Sequence, residues 1–275
     1  MVDYFDRPEM SQSKLKDLKK SPRHFWAKNI DPNRSLSSET DAMKLGSLFH
    51  CLLLEYEKFD DIYLVAPNLD RRTKDYKNWL SSLNDIDSSK ITITMHDLDI
   101  TYRMVQALKS KKVMQKIFSV EGLIEKEFYW TDISSNIPCK MKLDFFIEPC
   151  NLVPRGAIID FKSTQDASTE GFGSSINKYG YYNQQAFYCE GIKTIYNLSD
   201  YPEFYFVAIE KESPYECGFF EGDDVIMDIG LTENRKLLQL YKQCLETDNW
   251  YGYEDKIQRI SLPIWAINKH YEGKI

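Results

Sequence analysis

The stretch Ala157 to Thr164, AIIDFKST, sets an aspartate and a lysine two residues apart inside a run that otherwise reads as a buried strand. Residues i and i+2 of a strand point to the same face, so Asp160 and Lys162 emerge side by side, close to an apolar core. A buried charge is costly unless it is paired or bound to a metal. A second aspartate, Asp144, lies in KLDFF on the strand-like run before it, which gives the pattern D-x15-D-x-K. Carboxylates on adjacent strands with a lysine beside them suit metal-assisted hydrolysis. Their oxygens are the hard ligands Mg²⁺ prefers, and Mg²⁺ keeps open positions for water and phosphate oxygens. The lysine could position the attacking water or help deprotonate it. An ion pair on a half-exposed strand is the competing explanation, and the spacing alone does not decide between them.

Three strand-like runs carry these residues: LIEKEFYW at 123–130, IPCKMKLDFFIE at 137–148 and GAIIDFKST at 156–164, the first two joined by a turn-rich TDISSN as in a hairpin. A helix is expected from Tyr181 to Thr194, strands at 203–212 and 215–222, and a long helix from Asp223 to Thr247. Upstream, Ser11 to Asn29 reads as helix, interrupted at Ser21-Pro22 because a residue before proline avoids the α region, with Ser11 or Ser13 as cap. DPNRSLSSETD is polar and loop-like. Met43, Leu45, Leu48, Phe49, Leu52 and Leu53 then recur at helical spacing. Residues 70–84 look helical and exposed, and a short extended piece at ITIT leads into a helix near Asp97. The fold class is α/β (α+β): a central mixed sheet flanked by helices, with an N-terminal helical segment. No linker divides the chain, so a single domain over 1–275 is expected, mainly helical to 115 and carrying the sheet from 116.

The chain of 275 residues is 43% apolar and 14% aromatic, enough for a sizeable core. No apolar run approaches the ~18 residues of a membrane span, and MVDYFDRPEM opens without an apolar signal region. A cytoplasmic protein is the expectation. The six cysteines are scattered, without a CxxC pair, which argues against a zinc finger, an iron–sulfur motif or a disulfide scaffold. The net charge of −7 weakly disfavours a nucleic-acid binder. It is only an average, however, and a nuclease needs carboxylates for metal beside a local basic track for phosphate. Lys14, Lys16, Lys19, Lys20, Arg23, His24 and Lys28 form such a cluster, which the solvated face of a helix explains equally well.

LDFF…IIDFKS resembles the PD-(D/E)xK, restriction-endonuclease-like nuclease core, with Leu143 where the motif's name has proline. Further segments fall in the order of one branch of it. KLGSLFHCLLLE resembles that branch's Gly-x-x-x-His helix through Gly46 and His50. IEKEFYWTD…IPCKMKLDFF resembles its Glu-bearing strand leading to the first metal aspartate. YYNQQAFYCEG resembles its Gln-x-x-x-Tyr helix through Gln184 and Tyr188, and MSQSKLKDLKKSPRHFWAKN resembles its opening helical pair. Together they look like the RecE-type (exonuclease VIII-like) exonucleases of phages and prophages, over roughly residues 8 to 270.

The resemblance implies an exodeoxyribonuclease that uses Mg²⁺, with Mn²⁺ as substitute, to digest linear duplex DNA from its ends, 5′ to 3′, leaving 3′ single strands. It also implies a homo-oligomeric ring, trimer or tetramer, and a single-strand annealing (RecT-like) partner. Asp144, Asp160 and the Phe161 carbonyl would hold the principal metal. His50 and Glu125 would complete a second site, with Glu127 on the same strand face as the alternative to Glu125. Lys162 and Gln184 would orient the water, with Gln185 as the alternative register. Tyr188 would bond a phosphate or pack, Ser163 would contact phosphate or end the strand, and Arg23 would meet the DNA end. Arg71 and Arg72 form a second possible DNA contact. The cysteine spacing does not supply the iron–sulfur cluster of RecB-type relatives. Two other readings are a structure-specific or RecB-like endonuclease and a catalytically degenerate DNA-binding module.

Overall fold

The structure, a computed structural model, describes residues 4–34, 40–69, 72–83 and 85–272. Arg71 lies outside the described residues, as does much of the polar segment after Arg34. Helices come first: α1 (Gln12–Lys20), α2 (Pro22–Asn29) and α3 (Asp41–Leu54). Ser11 caps α1 by accepting from the Lys14 N–H, and Ser21 caps α2 by accepting from the His24 N–H, so the Ser-Pro step separates two helices as expected. A single 3-10 turn, Tyr56–Lys58, and α4 (Phe59–Ile62) lead to β1 (Tyr63–Val65). Then follow α5 (Lys74–Ser81), α6 (Asp85–Ser89), β2 (Ile91–Ile93), α7 (Met95–Lys109) and α8 (Lys112–Ile117). β1 and β2 pair in parallel as a small separate sheet.

The main sheet is built from β3 (Leu123–Thr131), β4 (Pro138–Ile147), β5 (Ala157–Thr164), β6 (Glu203–Glu210) and β7 (Cys217–Glu221), in that spatial order. All neighbours are antiparallel except β5 and β6. That parallel pair needs a crossover, supplied by α9 (Thr169–Tyr179) and α10 (Tyr181–Ile195). Gly180, at φ 71°, ends α9 and begins α10, a left-handed position that glycine takes without steric cost. α11 (Asp224–Thr247) packs on α10, and α12 (Ile264–Glu272) ends the described chain.

The sheet is apolar on both faces. Met141, Leu143, Phe146, Ile158 and Phe206 join α1, α2, α10 and α11 in one core. Phe145, Ile147, Ile159, Phe161 and Val207 join α3, α7 and α8 in the other. β5 is therefore buried on both sides rather than half exposed, and Asp160 is 1% exposed. Among the described residues, no helix is long and apolar enough to cross a membrane.

Candidate active site

The site forms where β4 leaves β5. The two strands pair at Phe145↔Ile159, Phe146↔Ile158 and Ile147↔Ala157, and the ladder ends there. At the next step the Phe161 N–H donates to Asp144 Oδ2 at 2.8 Å, and His50 Nε2 lies 3.1 Å from the Phe161 carbonyl oxygen. Both backbone groups of Phe161 that a longer ladder would engage are thus met by side chains. β4 also changes face here: Met141 and Leu143 point to one core, Phe145 and Ile147 to the other. Beyond the fork the place beside β4 is taken by Met10, whose N–H donates to Pro138 and whose carbonyl accepts from Lys140 N.

Glu125 stands opposite Asp144 at the one step missing from the β3–β4 register, between Ile124↔Phe145 and Lys126↔Leu143. Its φ of 47° is left-handed, which costs a non-glycine residue roughly 1–2 kcal/mol. That backbone breaks the alternation that puts Glu125 and Glu127 on one face. Glu125 turns inward to Lys142 Nζ at 2.7 Å and His50 Nδ1 at 3.5 Å, whereas Glu127 accepts from the Tyr129 hydroxyl at the surface. His50 Nδ1 also lies 3.6 Å from Asp144 Oδ1.

The other half of the site comes through the opposite face. α10 brings Gln184, whose Nε2 donates to Asp160 Oδ1 at 2.6 Å, while Gln185 is buried on another side of the helix near Gly222. Lys162 Nζ sits 2.5 Å from Asp160 Oδ2 and 5.2 Å above the Tyr181 ring. Asp160 Oδ2 is otherwise without a hydrogen-bond partner. Tyr188, one turn beyond Gln184, lines the cleft beside Asp144. Burial pushes its phenol well above the usual range, so it remains a neutral donor.

Charge states follow from these neighbours. Burial raises Asp160 to about 6 against the pull of Lys162. Burial opposes the charge of Lys162, but Asp160 and Asp144 outweigh it and its pKa rises. Burial also opposes a charged His50, yet Asp144 and Glu125 lift it to about 8. For Glu125, burial is outweighed by His50 and Lys142, and its pKa falls. An imidazole and two carboxylates, His50, Glu125 and Asp144, thus offer ligand atoms within 4.8 Å of one another. A mixed oxygen and nitrogen donor set of this kind fits a divalent cation.

Two arms of a cleft meet at Met43, Gly46 and His50 of α3. One, of about 630 Å³, holds Glu125, Lys142 and Asp144 and is walled by Tyr4 and Ser11 of the N-terminal segment. The other, of about 690 Å³, holds Lys162 and Ser163 and runs along α9. Arg23 lines neither arm; it is exposed on α2, its N–H bonded to the Tyr251 carbonyl. Lys142 and Tyr181 escaped the reading of the sequence. Lys142 was legible, since it precedes Asp144 by two residues just as Asp160 precedes Lys162.

The strand fork, the D-x-K on its inner strand and the helix glutamine behind it define the PD-(D/E)xK nuclease superfamily. More particularly, the chain belongs to the family described as PDDEXK-like domain of unknown function (DUF3799), whose model matches residues 11–263. No curated protein matches it. A solved structure described as a "Putative exonuclease" from Eubacterium rectale is similar over 94% of this chain and 92% of that one, at a TM-score of 0.59 and 12% identity. At that identity the likeness shows the fold. The structure of SSO0001 is similar over 72% of this chain and 87% of that one at 15% identity, with a TM-score of only 0.30. A nuclease is the class that family and fold support.

Proposed function

We propose that the protein is a divalent-metal-dependent exodeoxyribonuclease that digests linear duplex DNA from its ends. The observation that carries this reading is the meeting of His50, Glu125 and Asp144 within 4.8 Å at a fork whose inner strand holds Asp160 and Lys162. Asp144, Glu125 and His50, with Asp160 beside them, would hold Mg²⁺ or Mn²⁺. Such a cation supplies a Lewis acid that neutralises charge on the phosphate and acidifies water. Lys162, held protonated by Asp160, acts toward the phosphate and the attacking water as a cation rather than a base. Gln184 fixes Asp160 Oδ1 and leaves Oδ2 facing the lysine. Tyr188 donates from the wall of the cleft.

The order of sequence motifs supports the RecE-type branch. With it come 5′-to-3′ polarity, 3′ single-stranded tails for recombination, a ring-shaped homo-oligomer on DNA ends, a single-strand annealing partner and a cytoplasmic setting. The test uses purified protein with Mg²⁺ and three DNAs: linear duplex with 5′-phosphate, the same with 5′-hydroxyl, and a covalently closed circle. EDTA and Lys162→Ala serve as controls. Loss of only the linear DNAs, faster with 5′-phosphate, is expected. Cleavage of the circle would replace the exonuclease with an endonuclease, and no metal-dependent loss of any DNA would end the nuclease reading.

A further inference from the structure

The second arm of the cleft, running from Lys162 along α9, differs from the rest of the molecule in charge. The chain as a whole carries −7. In this arm Lys162, Lys178 and Lys211 face a single carboxylate, Asp166, whose Oδ1 is turned onto the Ser168 N–H at 2.8 Å. Lys178 and Lys211 form no ion pair among the described residues; Lys178 lies over the Tyr179 ring at 5.1 Å. Among the described residues, neither ammonium is neutralised by a carboxylate.

Position matters as much as charge. Ser174, Ser175 and Lys178 all line the arm from α9; the Ser174 hydroxyl donates to the Glu170 carbonyl at 3.0 Å, while Ser175 and Lys178, three apart and so neighbours on the helix surface, present a hydroxyl and an ammonium to the cleft. Lys211 follows β6, where its N–H donates to the Thr164 carbonyl at the end of β5 at 3.2 Å. It thus emerges at the carboxyl end of the parallel strand pair, a place where α/β sheets bind ligands. The arm begins at Lys162 and shares Gly46 and His50 with the metal-holding arm. A Cβ on Gly46 would meet nothing nearer than Ser163 Oγ at 3.9 Å, so the passage between the arms is open.

We infer that this arm, through Lys178, Lys211 and Ser175, binds the sugar-phosphate backbone of the nucleic-acid strand that adjoins the scissile phosphate. The inference rests on the proposed nuclease function and adds where the strand lies. Ammonium and hydroxyl groups recognise phosphate without reading base edges, so the track is independent of sequence. It divides the cleft into a place for the strand and a place for the metal.

The test compares wild type with K178Q/K211Q, with the charge-retaining K178R/K211R, and with S174E, which puts a carboxylate in the arm. K236Q/K242Q on α11, which lines neither arm, matches the change in net charge. Binding of a fluorescent duplex with a single-stranded end is followed by anisotropy in EDTA over a range of salt, and cleavage with Mg²⁺ over a range of DNA concentration. K178Q/K211Q should weaken binding about 10-fold at low salt and flatten the slope of log K against log salt by about 1.5, the share of two phosphate contacts. Its KM should rise in proportion, while excess DNA restores most of the rate. S174E should weaken binding as well, and K178R/K211R should recover it. If wild type binds and cleaves but K178Q/K211Q keeps its affinity and salt slope, or weakens no more than K236Q/K242Q, the track is elsewhere and the nuclease stands. A fall in kcat with KM unchanged would also overturn it, by assigning the lysines to chemistry. A wild type that neither binds nor cleaves DNA would overturn the proposed function and this inference together.

Discussion

β4 and β5 are joined at one end and parted at the other, and the two ends are built for different work. At the joined end Phe145, Phe146 and Ile147 face Ile159, Ile158 and Ala157 across a regular ladder, all buried. At the parted end the ladder bonds of Phe161 are replaced by Asp144 and His50, and charged groups occupy the sheet interior. A regular ladder would satisfy the backbone and leave no gap for a substrate. Exchanging two backbone partners for a carboxylate and an imidazole keeps the backbone satisfied and opens the fork. Substitutions at the parted end should therefore cost activity, and those at the joined end stability.

The largest effect is expected from Lys162→Ala. Removing the cation proposed to face the phosphate should slow cleavage roughly 10³-fold or more, about 4 kcal/mol. The fold should survive, because Asp160, already raised to about 6 by burial, takes up a proton once its partner is gone. Single-turnover cleavage with circular dichroism on the same preparation checks both halves; an unfolded variant would break the division between the two ends. Next comes Phe146→Ala at the joined end. Phe146 is fully buried with the Phe128 and Tyr196 rings at 5.6 Å. Its loss should cost at least about 3 kcal/mol in urea unfolding, while the surviving folded molecules cleave at close to the normal rate. Gln184 holds Asp160 from behind and does not itself line the cleft, so Gln184→Ala is smaller again in effect. It should lower activity about 10- to 100-fold, the usual cost of removing a residue that orients a ligand, and Gln184→Glu should not rescue it because Asp160 would then face a second carboxylate.

The joined end was legible in the sequence and the parted end only in part. Alternation in AIIDFKST placed Asp160 and Lys162 together, and the resemblance to a Gly-x-x-x-His helix singled out Gly46 and His50. The resemblance put Glu125 before Glu127, but the strand pattern could not separate them, since the choice depends on one left-handed residue that nothing in LIEKEF announces. The fork itself was hidden for a similar reason: Leu143 is a good strand residue, and the break after it comes from tertiary bonds to Asp144. Helix α9 went unread because TEGFGSSINKY holds two glycines and two serines, which lower helix propensity. The three-residue strand β1 is too short to show any period, whereas β2 lies in the extended piece expected at ITIT. What escaped was in each case fixed by packing or backbone geometry rather than by local pattern.

The smallest effect separates the two ends by pH. In metal-free protein His50 is held charged between Asp144 and Glu125, with its pKa raised from 6.5 to about 8 although burial and Lys162 oppose it. A group whose folded pKa lies above its unfolded one contributes stability below the unfolded value and loses it as pH rises through the folded value. The contribution is thus complete below pH 6.5 and gone above about 8. About a quarter of the ring faces solvent, which screens the pair and leaves about 1 kcal/mol. Asp160 acts with the opposite sign and in a different window: its charged form is penalised by burial, so stability is gained as pH falls from about 6 toward 3.8. Urea unfolding in EDTA at pH 6.5 and pH 9 should therefore show wild type losing about 1 kcal/mol more than His50→Gln. Phe146→Ala, with its damage at the joined end, should keep the full pH dependence. If His50→Gln showed the same loss as wild type, the imidazole would not be the cation that balances Asp144 and Glu125 at the fork, and that charge balance would have to come from Lys142 and Lys162 alone.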